Sequence, residues 1–166
     1  MSLPQANARN LRRIMHQQHK TGGALLALAT ESERSIIDGD TRKLAEIEGR
    51  QRALVDQSAA QETGRQEATA DLAAKLGMDP DATLSMLVPV LSSTDVIALT
   101  TLRAQIVAVQ SRTETQNRCN ARLLENALGF VKFNLEALTT AALRPARYGV
   151  NLARLEAPSF YVDSKA

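Results

Sequence analysis

Apolar residues along the chain recur at alternating three- and four-residue steps, the spacing that gathers them on one face of an α-helix. Leu11, Ile14, Gln18, Thr21, Leu25, Leu28, Ser32 and Ser35 form such a seam, widened by Leu26 and Ile36, and it predicts a first helix over residues 3–38. It stops at Asp38-Gly39-Asp40, where Gly39 can adopt the left-handed conformation that ends a helix and Asp40 can cap the next one. A second seam, Leu44, Ile47, Gln51, Leu54, Ser58, Gln61, Arg65, Ala68 and Leu72, predicts a helix over 41–76, closed by Gly77. Asp79-Pro80-Asp81 then offers a cap and a proline suited to a first helical turn, so a short apolar helix is predicted over 82–91, interrupted by Pro89.

Ser92 followed by Asp95 is a further capping pattern, and the longest seam comes after it: Leu99, Leu102, Ile106, Val109, Thr113, Gln116, Asn120, Leu123, Ala127 and Phe130. No proline interrupts it before Pro145, which predicts a helix over 95–143. At 1.5 Å per residue this helix would be about 74 Å long against about 54 Å for each of the first two. The pattern specifies an all-α fold: an elongated antiparallel bundle or coiled coil of three long helices plus one short helix over 1–144, followed by a flexible tail over 145–166. Packed up, down and up with short connections, the last helix should overshoot its partners from about residue 131. That overshoot would carry Phe130, Val131, Phe133, Leu135, Leu138 and Leu143.

Each seam is polar in its middle. Alignment of the rods from their connections places Ser58 near Thr113, Gln51 near Asn120 and the Gln18–Gly22 region near Ser58. A buried amide or hydroxyl without a partner costs about 1–3 kcal/mol, so such layers weaken a bundle while fixing its register. Two readings stand: these residues face solvent where the bundle is thin, or they form a loosely closed seam that admits a foreign amphipathic helix. Gly22 and Gly23 inside the first seam cost about 2 kcal/mol together relative to alanine. They mark either a kink or a helix that begins after them.

Composition sharpens the picture at one place. With 44% apolar residues, eight Gly and five Pro, the chain has the makings of a helical core. It has no Trp, three Phe and two Tyr, and all five aromatics lie between Phe130 and Tyr161. Its longest apolar runs, near six residues, fall far short of the roughly 18 that a membrane-spanning helix needs, so no stable membrane insertion is expected. The basic start lacks the compact apolar stretch of a secretory signal. A single cysteine, Cys119, excludes an internal disulfide, and together these features give a cytoplasmic expectation.

Chemistry is scarce. His16 and His19 are the two histidines, no glutamate stands three residues before either, and Cys119 is distant, so neither a di-iron nor a zinc site is expected. No phosphate-cradling loop follows Gly22-Gly23. Cys119 has no histidine nearby in sequence and reads as a small core or groove residue. No catalytic, cofactor-binding or metal residues are therefore expected, and no enzyme. The net charge of +2 is too near balance to imply nucleic acid. One face of the first helix is nonetheless basic, with Arg9, Arg12, Arg13, His16, His19 and Lys20 and no acidic residue before Glu31. It leaves an anionic ligand, RNA or lipid, as an alternative, although no aromatic residue is interleaved to stack on bases.

The order of features resembles the flagellar export chaperones of the FlgN family. The resemblance rests on Leu25-Leu26-Ala27-Leu28 with Glu31 and Glu33, the break Asp38-Gly39-Asp40, and Leu44, Ile47 and Leu54. It continues with Leu76-Gly77-Met78, with Asn117, Asn120, Leu123 and Leu124 in the long helix, and with Tyr148-Gly149 after it. It implies a cytoplasmic type III export chaperone without ATPase activity. Such a chaperone binds the C-terminal helical segments of hook–filament junction (hook-associated) proteins, prevents their premature self-association and delivers them to the export gate. The expected client-binding residues are Leu123, Leu124, Ala127, Phe130, Val131, Phe133, Leu135 and Leu138, with Tyr148 as an export-gate or client contact. The alternative is a structural coiled-coil protein that buries the same helix end in a homodimer.

Overall fold

A computed structural model describes residues 3–143, with side chains described over 6–140. It is an all-α helical bundle with four helices, α1 (Leu3–Asp38), α2 (Thr41–Lys75), α3 (Leu84–Leu87) and α4 (Ser93–Leu143), and a 3-10 turn at Val88–Val90. The chain divides into two compact units, Met1–Ala127 and Leu128–Ala166, and α4 belongs to both. The predicted flexible tail over 145–166 and Tyr148 lie outside the described residues.

The junction between α1 and α2 is as short as a helical hairpin allows because Asp40 serves both helices. Its backbone N–H donates to the Ser35 carbonyl at 2.9 Å while Gly39 donates to Ile36 at 3.2 Å, which satisfies the last carbonyls of α1. Gly39 sits at φ 68°, the left-handed region that a side chain would strain. The Asp40 carboxylate in turn accepts from the Lys43 N–H at 2.9 Å and caps α2. Gly77, at φ 70°, ends α2 in the same way: Met78 donates to Ala73 at 2.9 Å and Gly77 to Ala74 at 3.1 Å.

The third element is shorter than the sequence predicts. Instead of starting a helix, Asp79 closes a turn: its carboxylate accepts from the Asp81 N–H and its carbonyl from the Ala82 N–H, both at 2.9 Å. Helix α3 therefore begins at Leu84, and it gives way to a 3-10 turn over Val88–Val90 that contains Pro89, which has no N–H to continue the α-helix. The segment still contributes to the core, since Ala82 and Leu87 are buried. At the start of α4, Ser92 Oγ donates to the Asp95 carboxylate at 2.7 Å and accepts from the Asp95 N–H at 3.2 Å, so the helix begins at Ser93.

The core of the first unit is concentrated near one end of α1. Ala8, Leu11, Ile14 and Met15 pack there with Ala68, Leu72 and Ala73 of α2, Ala82 and Leu87 of the connection, and Leu99 of α4. Along α1 the whole predicted seam is buried or half-buried. The helix runs unbroken through Gly22 and Gly23, so the seam does not start after them. Gly22 has a structural reason: a Cβ built there would lie 3.0 Å from Val109 Cγ1 of α4, whereas one at Gly23 meets nothing within 4 Å.

Between the ends, polar groups link the helices. Gln18 of α1 donates to the Glu62 carboxylate at 3.0 Å, and Arg65 donates to the same carboxylate at 2.6 and 2.8 Å. These bonds, the Arg65 pair foremost, hold Glu62 well below the usual carboxylate range, at about 2, against the opposing effect of its partial burial, and they raise Arg65. Asn120 of α4 donates to the Ala29 carbonyl of α1 at 2.7 Å, and Gln116 donates to Glu33 at 2.9 Å. Asn120 thus finds its hydrogen-bond partner on the α1 backbone. Gln61 Oε1 is the one buried side-chain oxygen or nitrogen without a partner among the described residues.

Two outcomes follow for stability. Gly23→Ala should raise it by about 0.5–1 kcal/mol through helix propensity alone, while Gly22→Ala should gain less because Val109 must move; thermal unfolding of the two variants compares them directly. Because Glu62 is depressed in the folded chain, its contribution is complete above the ordinary carboxylate pKa of 4.5 and is lost as pH falls toward about 2. Glu62→Gln should therefore flatten the fall in Tm across that window relative to the unsubstituted chain. Equal slopes for the two would show that the Glu62 bonds do not add to stability.

Candidate functional site

Helix α4 changes character along its length. Leu99 is buried, Leu102, Ile106, Val109, Thr113 and Gln116 are half-buried, Asn120 is buried and Leu123 is half-buried. Ala127 and Phe130, next on the same seam, are exposed. The seam thus opens earlier than the expected residue 131. The register of α4 on α1 accounts for this: Arg12 lies 3.7 Å from Asp95, so α4 starts about two to three turns along α1.

The eight sequence-expected site residues all lie on this part of α4. Leu124 is 43% exposed, and Phe130, Val131, Phe133, Leu135 and Leu138 are between 60% and 69% exposed. They are held on a regular helix, which fixes their spacing while leaving the side chains in solvent. Leu128, 69% exposed, belongs with them and was not among the expected residues. The signal that identifies it is its spacing: Leu124, Leu128, Val131, Leu135 and Leu138 follow 4, 3, 4, 3 steps, a second register beside the seam that runs through Ala127 and Phe130. A soluble monomer seldom shows so many large apolar side chains in sequence on one helix, and such patches mark interaction surfaces.

The first unit contains a groove of about 770 Å³. Gln18 and Gly22 of α1, Val55 and Ser58 of α2, and Ile106 and Thr113 of α4 are among its lining residues. The sequence alignment placed Ser58, Thr113 and the Gln18–Gly22 region together, and the groove does bring them together. The polar middle of the bundle is therefore neither wholly solvent-facing nor closed: some of its groups bond across helices and others line this opening.

Other singled-out residues are simply placed. Cys119 is exposed and occupies neither core nor groove. Its position between the seam residues Gln116 and Asn120 puts it on the outer side of α4, where the sequence expected a core or groove residue. His16 is exposed and His19 half-buried at the groove. Among the described residues no group of three or more His, Cys, Asp or Glu is arranged to hold a metal ion, and no helix is long and apolar enough to cross a membrane. On the basic face of α1, Arg12 pairs with Asp95 and Arg13 donates to Asn10 at 3.0 Å, while Arg9, Arg13, His16 and Lys20 are exposed.

Comparisons with known proteins place these features. Neither the curated proteins nor the solved structures give a match. The family described as FlgN protein matches residues 1–152, nearly the whole chain, and covers all four helices together with the exposed stretch of α4. The chain belongs to the FlgN family, the flagellar type III export chaperones.

Proposed function

We propose that this chaperone holds its clients through the distal part of α4. The clients are the C-terminal helical segments of hook–filament junction proteins, which the chain keeps from associating prematurely in the cytoplasm and delivers to the export gate. The observation that carries the reading is the exposure of Phe130, Val131, Phe133, Leu135 and Leu138, each at least 60%, on a helix that is already formed. Burial of each such side chain is worth about 1.5–3 kcal/mol before the costs of association are subtracted. A preformed helix lowers those costs because its backbone need not be ordered on binding.

The physical logic matches the task. A client segment meant for a helical assembly is itself amphipathic and sticks to copies of itself. An aliphatic and aromatic helix face offers it a temporary partner by the helix-in-groove mode, with Phe130 and Phe133 as the large anchors. Leu123, Leu124 and Ala127, on α4 within the first unit, are proposed as client-binding residues with them. Tyr148 is assigned to contact with the export gate or with the client, on the strength of the family resemblance. A second copy of the chain on the same face is the competing reading, and it would exclude the client.

Capture of purified hook–filament junction proteins tests the proposal. Every buried residue among those described precedes Ala127, so a chain ending at Ala127 keeps its core. The full chain should bind and the shortened chain should bind at least about tenfold more weakly, each tenfold being 1.4 kcal/mol. Equal capture by both would place the client elsewhere. A persistent dimer in light scattering that releases no subunit when client is added would favour the homodimer.

A further inference from the structure

The exposed part of α4 has too much apolar surface for one partner helix. At about 100° per residue, Leu128, Val131, Leu135 and Leu138 fall within an arc of about 80°. Phe130, Phe133 and Ala137 fall within another of about 60°, whose centre is turned about 150° from the first. Gly129, Lys132, Glu136, Thr139 and Thr140 occupy the remaining arc of about 100°, and all five are exposed. The apolar side of the helix therefore spans about 220°, against about 100° for an ordinary surface helix packed on one neighbour. Asn134, half-buried, is the one polar residue within that span, and it separates the aliphatic face from the phenylalanine face.

Neither face is long. Each offers at most about two heptads, whereas a self-standing coiled coil uses three to four. A single docked helix would cover one face, leave the other in water and gain little stability. Two helices on one chain avoid this, because once the first has docked the second is held at millimolar effective concentration. A second copy of this chain applying one helix to one face would leave the other face uncovered.

Resting on the client-holding role proposed above, we infer that the client enters as two amphipathic helices of one chain, one on the Leu128–Leu138 face and one on the Phe130–Phe133 face. With the face centres about 150° apart, the two docked helices flank the distal part of α4 on opposite sides, and Asn134 separates the strip that each one covers.

The test uses the full chain and a purified hook–filament junction protein as probe. Leu128→Asn with Leu135→Asn, and separately Phe130→Ser with Phe133→Ser, should each weaken binding by at least about tenfold, since each pair removes the anchors of one docked helix. A photo-crosslinking side chain placed at position 128 or 133, in a Cys119→Ser background, should capture two different segments of the same client in a complex of one chaperone and one client. If either pair of substitutions leaves the affinity unchanged, or both positions capture the same client segment, the two-helix arrangement is wrong and the client-holding role survives. Capture at either face of a second chaperone copy, of a second client, or of residues 144–166 of the same chain would also overturn it. Failure of the unsubstituted chain to bind sinks both readings.

Discussion

The arrangement depends on where the apolar packing is concentrated. Leu11, Leu72, Leu87 and Leu99, all fully buried, bring together α1, α2, the connection after α2 and the start of α4. A Leu→Ala change in such a cluster typically costs about 2–5 kcal/mol. Away from that cluster Leu28, Ala29 and Ile47 are also buried, and polar contacts join the helices: Gln18 to Glu62 between α1 and α2, and Asn120 to the Ala29 backbone between α4 and α1. Hydrogen bonds of this kind contribute roughly 1 kcal/mol each and demand good geometry, so they fix register more than they add stability. Among the described residues, none beyond Asn120 is buried.

That division explains two features that look unfavourable alone. Gly22 weakens α1 as a helix, yet it lets Val109 approach to a distance that a methyl group would contest. The groove near Ser58 and Thr113 leaves Val55 and Val107 more than half exposed, which a tightly packed three-helix core would not. Close approach at Gly22 and opening beside it are two sides of one geometry, in which α4 lies against α1 more intimately than against α2.

Much of the fold was legible in the chain because helical periodicity is a local signal. Gly39 and Gly77 marked the ends of α1 and α2 since only a left-handed residue closes a helix that way. The short third element was misread because Asp79-Pro80-Asp81 satisfies the preferences of a tight turn as well as those of a helix start. Cys119 was assigned inward on residue type although its neighbours Gln116 and Asn120 already held the seam. At the candidate site, Phe130, Phe133, Leu135 and Leu138 could be named because the seam outlasts its partners. Leu128 escaped because it belongs to a second register, Leu124, Leu128, Val131, Leu135 and Leu138, beside the seam that was followed.

Membership of the FlgN family gives the role of flagellar export chaperone, and the exposed helix is the means we propose for it. On that proposal, a helix already formed presents fixed anchors to a client. Hydrogen exchange along α4, with and without a purified hook–filament junction protein, tests this most directly, since amides open locally unless a partner covers them. Exchange should slow by at least about tenfold across residues 123–143 on client addition and stay unchanged over the basic face between Arg9 and Lys20. Unchanged exchange over 123–143 with client bound, or protection confined to the groove between α2 and α4, would contradict the account.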